Sequence, residues 1–355
     1  MPRLTRIQQQ ARTRAAVLAA AAHEFGERGY PDAKIDRIAD RAELTRGAVY
    51  SNFPSKRSLY LAVLLDSARN RPVAANAEPP GDVAEAAEAF ARIWLERLPL
   101  AGDTAAGARL RAQSVTGVFD DEPGRAVMAG LTQLESLLLA LRLETSRPRE
   151  ARRVRLAELI LTLLHGADHL AQSAPGFGDA FDVVRACRYL AAMEAPDGWD
   201  PPHLPYIDPA QPCHEPWNPP AGLIDELTDG PAGCGGDGVV VVLGSRRLGG
   251  GEEAVRAARP GDLVTIAAVT SDPAEAGALV RLRITGLAAG LRRVFGPAGT
   301  SVRVILDDGG ALAAAAGVDA ADDTEAAVRV RNGVIVARAG GRGAGHAAAI
   351  AEGER

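Results

Sequence analysis

Aromatic residues make up only 4% of this 355-residue chain, and its three cysteines, Cys187, Cys213 and Cys234, are scattered and odd in number. The first scarcity leaves core packing to Ala and Leu, which favours helices. The second excludes a disulfide framework and fits a reducing cytoplasm. No run of about 18 apolar residues passes without a charge, so no membrane span is expected. The opening Met1-Pro2-Arg3-Leu4-Thr5-Arg6 lacks the apolar stretch of a signal peptide. His165 and His169 share a helix face at metal-capable spacing, but no third ligand stands at a telling distance along the chain. A cytoplasmic protein with no membrane contact, no metal and no cofactor is the expectation.

What is present is unevenly spread. Apolar residues reach 47%, enough to bury ordinary cores in two or three domains. Residues 1–57 hold eleven Lys/Arg and six Asp/Glu, a balance of +5, so the rest of the chain carries −10. A basic head on an acidic body suits a polyanion bound by the head alone.

The periodicity changes along the chain. Val17, Leu18, Ala21, Ala22 and Phe25 fall on one face of a first helix, closed by Gly29-Tyr30-Pro31. Ile35, Ile38, Ala39 and Ala42 mark a second, and Ala48, Val49 and Tyr50 a third. Pro54 ends the third, and Ser55 caps a fourth. Helices follow at 82–98, near 104–118, and at about 123–145, 151–174 and 179–193. Leu137–Leu141 and Leu159–Leu164 make two of these apolar on more than one side, as in a core or a subunit contact. The nine prolines between 196 and 220 predict an extended linker, neither helix nor sheet interior. Beyond it come runs with the composition of buried strands, Val239–Leu243, Leu263–Val269 and Val302–Leu306. A hairpin of Ala326–Val330 and Val334–Ala337 turns at Asn332-Gly333. Helices expected at about 251–259, 273–295, 309–316 and 343–352 complete an α/β sandwich.

Residues 35–53 have the make-up of a helix-turn-helix. Ala39, Leu44 and Val49 are small or apolar enough to lie between two crossing helices. Thr45, Arg46, Gly47, Ala48, Ser51 and Asn52 give the second helix a slim polar face for a major groove about 12 Å wide. With Phe25, Gly29-Tyr30, Ile38-Ala39, the run Thr45–Tyr50 and Phe53-Pro54-Ser55-Lys56 ahead of Leu59, residues 13–65 resemble the DNA-binding domain of the TetR family of bacterial repressors. The resemblance implies that Tyr50 and Lys56 contact phosphates, and that Thr45, Arg46, Gly47 and Ser51 face bases or nearby backbone. Lys34 is placed to compensate for Ala33, which stands where the family has Thr. Arg3, Arg6, Arg12 and Arg14 are read as a flexible basic arm. Glu43 occupies a turn position the family fills with Gly, where a positive φ is costly for other residues.

The resemblance further implies a homodimer built through 151–174 and 179–193, a palindromic operator in double-stranded DNA, and release by an unknown small-molecule inducer. Phe90, Trp94, Leu137, Leu141, His165 and His169 are the candidate pocket residues. The division is then 1–57, DNA-binding helix-turn-helix; 58–197, helical ligand-binding and dimerisation domain; 198–220, linker; and 221–355, α/β domain. That last part resembles a thioredoxin-like or peroxiredoxin-like fold through its strand order, Leu306–Gly310, Ala316–Val318 and Val328–Ile335. Redox chemistry of that kind needs a thiolate just after the first strand, and the place reads Gly244-Ser245-Arg246-Arg247. The expected proline before the fourth strand is also missing, with Thr324-Glu325 in its region. Cys213 and Cys234 are weighed as an oxidation-sensing pair against ordinary thiols. Gly249-Gly250-Gly251 is read as a flexible loop rather than a phosphate cradle. The overall expectation is a multidomain, non-enzymatic transcriptional repressor: an all-α part followed by a thioredoxin-like α/β part without its cysteines. A redox-linked enzyme under a DNA-binding head, or a DNA-tethered protein-interaction scaffold, are the alternatives.

Overall fold

The computed structural model describes residues 5–69, 80–98, 109–110, 112, 114–146, 152–174, 176–193, 196–297 and 300–351. Four helices form the head: α1 (Arg6–Asp32), α2 (Ile35–Arg41), α3 (Arg46–Asn52) and α4 (Lys56–Arg69). Thr5 and Gln8 close a capping box at the start of α1, and Gly29, at φ 74°, breaks that helix where the sequence places its end. Arg6, Arg12 and Arg14 therefore ride on a helix and form no flexible arm, and Arg3 lies outside the described residues. Ser55 and Ser58 cap α4 reciprocally, each side-chain oxygen taking the other's backbone N–H at 3.0 Å.

The helical body comprises α5 (Val83–Leu95), α6 (Glu122–Leu143), α7 (Val154–Ser173) and α8 (Ala180–Ala192). Of the helix expected near 104–118, residues 104–108, 111 and 113 lie outside the described residues, Arg109 and Leu110 are helical, and residues 114–118 form no helix. By length and composition α6 is apolar enough to cross a membrane, yet Leu131, Leu134 and Leu137–Leu141 are buried as core against its neighbours. Asp121 caps it through the Gly124 N–H at 2.7 Å.

The proline-rich stretch is held down rather than free. Asp197 accepts from the Arg155 backbone at 2.8 Å and from Arg256 at 2.5 Å, and the rings and chain beyond it lead into an edge strand, β1 (Gln211–Pro216). Prolines are tolerated there because an edge strand needs only half its donors. After the short pair β2 (Ile224–Asp225) and β3 (Gly230–Pro231) come β4 (Gly238–Gly244), α9 (Gly251–Ala257), β5 (Leu263–Val269), α10 (Ala278–Phe295), β6 (Val302–Leu306), α11 (Ala311–Ala315), β7 (Glu325–Arg331), β8 (Val334–Gly340) and α12 (Ala344–Ile350). The six-stranded sheet runs β1-β8-β7-β4-β5-β6, with β4, β5 and β6 parallel and β7 antiparallel to β4. Asn332 (φ 49°) and Gly333 (φ 74°) make the tight β7–β8 turn.

Alternation assigns the two faces of this sheet. Val239, Val241, Leu243, Val264, Ile266, Val302 and Val304 join the large core that also holds the head and the body. Val240, Val242, Ala267, Val269 and Val328 turn to a smaller core with Trp217, Cys234 and Leu312. The α/β unit is thus built into the body: α10 packs on α4, α5 and α6. Glycine 249–251 is not a flexible loop. It is a 3-10 turn running into α9, with Leu248 fully buried and its backbone pressed on Gly130, where an added Cβ would sit 3.3 Å from the Leu248 nitrogen. Cys213 and Cys234 are free thiols and do not pair.

Candidate nucleic-acid interface

The head's inner architecture rests on one buried carboxylate. Glu24, 1% exposed, accepts the Lys34 backbone N–H at 3.2 Å and meets Arg28 at 3.3 Å and Arg37 at 3.7 Å. It ties α1 to the start of α2, so that Ile38 and Ala39 lie against Phe25 in the core. Val49 fixes the inward side of α3. Between α2 and α3, Glu43 adopts φ 55°, the left-handed conformation expected of the missing glycine. At the far end of α3, Arg14 donates to the Asn52 carbonyl at 3.0 Å and covers the Phe53 ring at 4.1 Å. Arg14, expected in a flexible arm, is instead a tie between α1 and α3, and Glu24 carries no local pattern in the sequence because a lone acid on a helix looks like any solvated one.

The outer side of α3 holds most of the candidate residues. Thr45 is its N-cap, accepting the Ala48 N–H at 3.2 Å, and Arg46, Gly47, Tyr50 and Ser51 are exposed. An added Cβ at Gly47 would meet nothing nearer than 3.9 Å, so the surface there is flat enough for close approach. Ala48 and Asn52 are half-buried, and the Asn52 amide is engaged with the Ala48 carbonyl at 2.9 Å. The Arg46 guanidinium stands over the Tyr50 ring at 5.5 Å and touches Asp36 at 3.5 Å, an exposed pair that a stronger anion can replace. Lys56 donates to the Pro31 carbonyl at 3.0 Å and lies over the Tyr30 ring; burial lowers its pKa, and two N–H donors remain for an anion. Lys34 is exposed at the start of α2.

Comparison with known proteins agrees with this geometry. Residues 17–63 match the family model of bacterial regulatory proteins, tetR family. The head carries a TetR-family N-terminal domain. Its TetR-type sequence is 49% identical over 51 residues to the HTH-type transcriptional activator FasR of Mycolicibacterium smegmatis, covering 14% of this chain and 23% of that protein. It is 46% identical over 52 residues to an uncharacterized HTH-type transcriptional regulator, TtgW, of Pseudomonas putida, covering 15% and 39%. The chain thus spans about a quarter to two fifths of these curated relatives. Among solved structures, NalD, the secondary repressor of the MexAB-OprM multidrug efflux pump in Pseudomonas aeruginosa, is 17% identical with a TM-score of 0.35, covering 51% of this chain and 95% of that one. That likeness is too slight to bear on the fold.

Behind the TetR-type head, the body's candidate residues divide. Phe90 and Trp94 on α5 and His165 on α7 come together, with ring centres 5.7 and 5.1 Å apart in succession. Leu137 and Leu141 are buried on α6, and His169 is exposed. Neither the cavity beside Ile207 and His346 nor the one beside Arg57 and Asp121 is lined by any of these six. Beside them Glu135, 1% exposed, is gripped by Arg283 of α10, with Arg283 also 3.0 Å from His165. Burial pushes the Glu135 carboxyl up, but Arg283 and His165 outweigh it and hold it at about 2.

At the C-terminal ends of β4 and β5 the chemistry is closed on itself. Ser245 donates to Asp322 at 2.9 Å, Ser271 at 2.6 Å, and Thr270 joins them. Burial raises the Asp322 carboxyl, and these hydroxyls more than offset that. The cysteines are elsewhere. Burial pushes the Cys187 thiol up to about 12 and raises Cys213 and Cys234 as well, the opposite of a reactive thiolate.

Proposed function

We propose that this protein is a TetR-type transcriptional regulator, binding a palindromic operator as a homodimer and acting as a repressor by occupying it. The observation that carries this reading is the matched head whose α3 presents Thr45, Arg46, Gly47, Tyr50 and Ser51 outward. Arg46 is the proposed base reader, and Lys34, Tyr50 and Lys56 the phosphate contacts.

The proposed dimer forms through α7 and α8. Leu159 and Leu170 on α7, and Phe177, Phe181, Tyr189 and Met193 on and around α8, leave apolar side chains in solvent. A patch of this kind marks an interaction surface, and a two-fold contact there sets two α3 helices about one DNA turn apart. Inducer entry is proposed around Phe90, Trp94 and His165, where the rings must part to admit a ligand. The α/β unit, proposed as a thioredoxin-like fold, is read as non-catalytic because Ser245 stands at its strand end and its thiols are held protonated.

The test is fluorescence anisotropy with DNA from upstream of the protein's own gene at several salt concentrations. The expected result is tight, palindrome-dependent binding whose logarithm falls linearly with log salt, and a reporter repressed from that site. Weak binding indifferent to sequence would overturn the reading. A thiol-peroxidase assay that gave turnover would restore the redox alternative.

A further inference from the structure

The α/β unit reaches directly to the joint between the recognition helix and the body. Glu275 lies in the π-helical turn Pro273–Gly277 between β5 and α10, capped by Asp272 through the Glu275 N–H at 3.1 Å. Its two carboxylate oxygens divide between two residues of the head. One accepts from the Ser55 hydroxyl, the other from Arg57 at 3.1 Å. Arg57 continues to Asp121, the cap of α6, at 2.6 Å and covers the Phe119 ring at 4.7 Å. Ser55 lies three residues beyond the end of α3 and caps α4, so the contact sits on the pivot of the recognition helix. A second hold comes from the body, where Arg109 donates to the Gly26 carbonyl at 3.0 Å. Beneath the joint lies a cavity of about 100 Å³, lined among others by Arg57, Asp121, Ser245, Asp272 and Asp322, so the contact is not wedged in place by solid packing. The turn itself is anchored to the sheet through Thr270 and Ser271 on Asp322.

We infer that Glu275 is a positioning residue for DNA recognition: by holding Ser55 and Arg57 it fixes the angle of each head, so that the α/β unit sets which separation of half-sites the dimer accepts. The inference rests on the DNA-binding reading above. A carboxylate shared between a helix cap and a guanidinium resists rotation in two directions, whereas a neutral contact at the same place does not. One core runs from α4 through α10 to the sheet, so the ends of β4 and β5 share a continuous packed path with this joint.

The experiment uses the full chain with Glu275→Ala, which removes both contacts, and Glu275→Gln, which keeps the size and an acceptor for Ser55. Affinities are measured for palindromes of stepped half-site separation and for a single half-site. The expected result is a preference among separations that flattens by about tenfold for Glu275→Ala and by less for Glu275→Gln, with single half-site affinity unchanged in variants that remain folded. If Glu275→Ala does not fold, the Glu275→Gln profile decides. Wild-type preference retained in the folded variants overturns the inference, as does a parallel loss of half-site affinity, which marks damage to the head. A wild-type protein that does not distinguish a palindrome from unrelated DNA overturns the DNA-binding reading itself, and the inference with it.

Discussion

On the outer face of α3, Arg46, Tyr50 and Ser51 reach solvent. At the ends of β4 and β5, by contrast, Ser245, Thr270 and Ser271 all donate to the one carboxylate of Asp322. Both regions are polar and both stand at the edge of a well-packed core. They differ in where the hydrogen-bonding capacity goes. The head's outward donors make only exposed local contacts, Ser51 to the Ala48 carbonyl and Arg46 to Asp36, which an outside partner can replace, while the α/β unit spends its own on holding loops together and, through Glu275, on holding the head. A polar cluster is therefore a poor guide to a site until its partners have been counted.

The widest test of this contrast is to break a contact whose only role is internal. Arg283 joins α10 to α6 by pairing with Glu135. Arg283→Ala strands a buried carboxylate and is expected to cost about 3–5 kcal/mol in urea unfolding. The pair also predicts a pH dependence. The Glu135 carboxyl is depressed from 4.5 to about 2, so its stabilisation is complete above pH 4.5 and is lost as the pH falls toward 2. Glu135→Gln should thus be less stable than wild type at pH 7, with the difference shrinking over that window. A deficit that stays constant down to pH 2 would show that the pairing is not the source.

The next test concerns an outward apolar surface. Phe181 and Tyr189 are 75% and 67% exposed on α8. Phe181→Glu with Tyr189→Glu should weaken self-association by about 2–4 kcal/mol, the scale of an interface hot spot, and shift sedimentation toward the monomer at micromolar concentration. Unchanged sedimentation would remove the dimer surface from α8.

How much of this was legible in the sequence depends on distance along the chain. The breaks at Gly29 and Pro54, the cap at Ser55 and the Asn332-Gly333 turn are decided within a few residues, and the element order from β4 to α12 follows from period-two runs between helices. The pairing of β1 with β8 joins residues over a hundred positions apart, and its prolines disguise a strand. The docking of α10 on α4, α5 and α6 was hidden for another reason: a helix apolar on several sides does not say which neighbour it faces. Glu275 and Arg57 are 218 residues apart and belong to no motif. The exposed outer face of α3 was readable because a helix-turn-helix packs locally, whereas Phe90, Trp94 and His165, candidates for a pocket, meet as a filled cluster of rings.

Within the head, Arg46→Ala removes the proposed base reader without touching the core, since Arg46 is 61% exposed. Operator affinity should fall by about 1–3 kcal/mol, the value of one bidentate base contact, with the thermal midpoint unchanged and specificity relaxed at one base pair. An equal loss on all sequences would instead make Arg46 a phosphate contact.

The smallest effect is expected at the turn between α2 and α3. Glu43 holds φ 55°, a conformation that costs a side chain with a Cβ about 1–2 kcal/mol. Glu43→Gly relieves that strain but gives the unfolded chain more freedom to lose. The two effects nearly offset, leaving a gain of about 0.5–1 kcal/mol in unfolding free energy. Because Glu43 is exposed and is no candidate DNA contact, operator affinity should stay as in the wild type. A stabilised variant that bound DNA less well would mean that strain at Glu43 helps to aim α3, and would place part of the head's positioning inside the head rather than in the α/β unit.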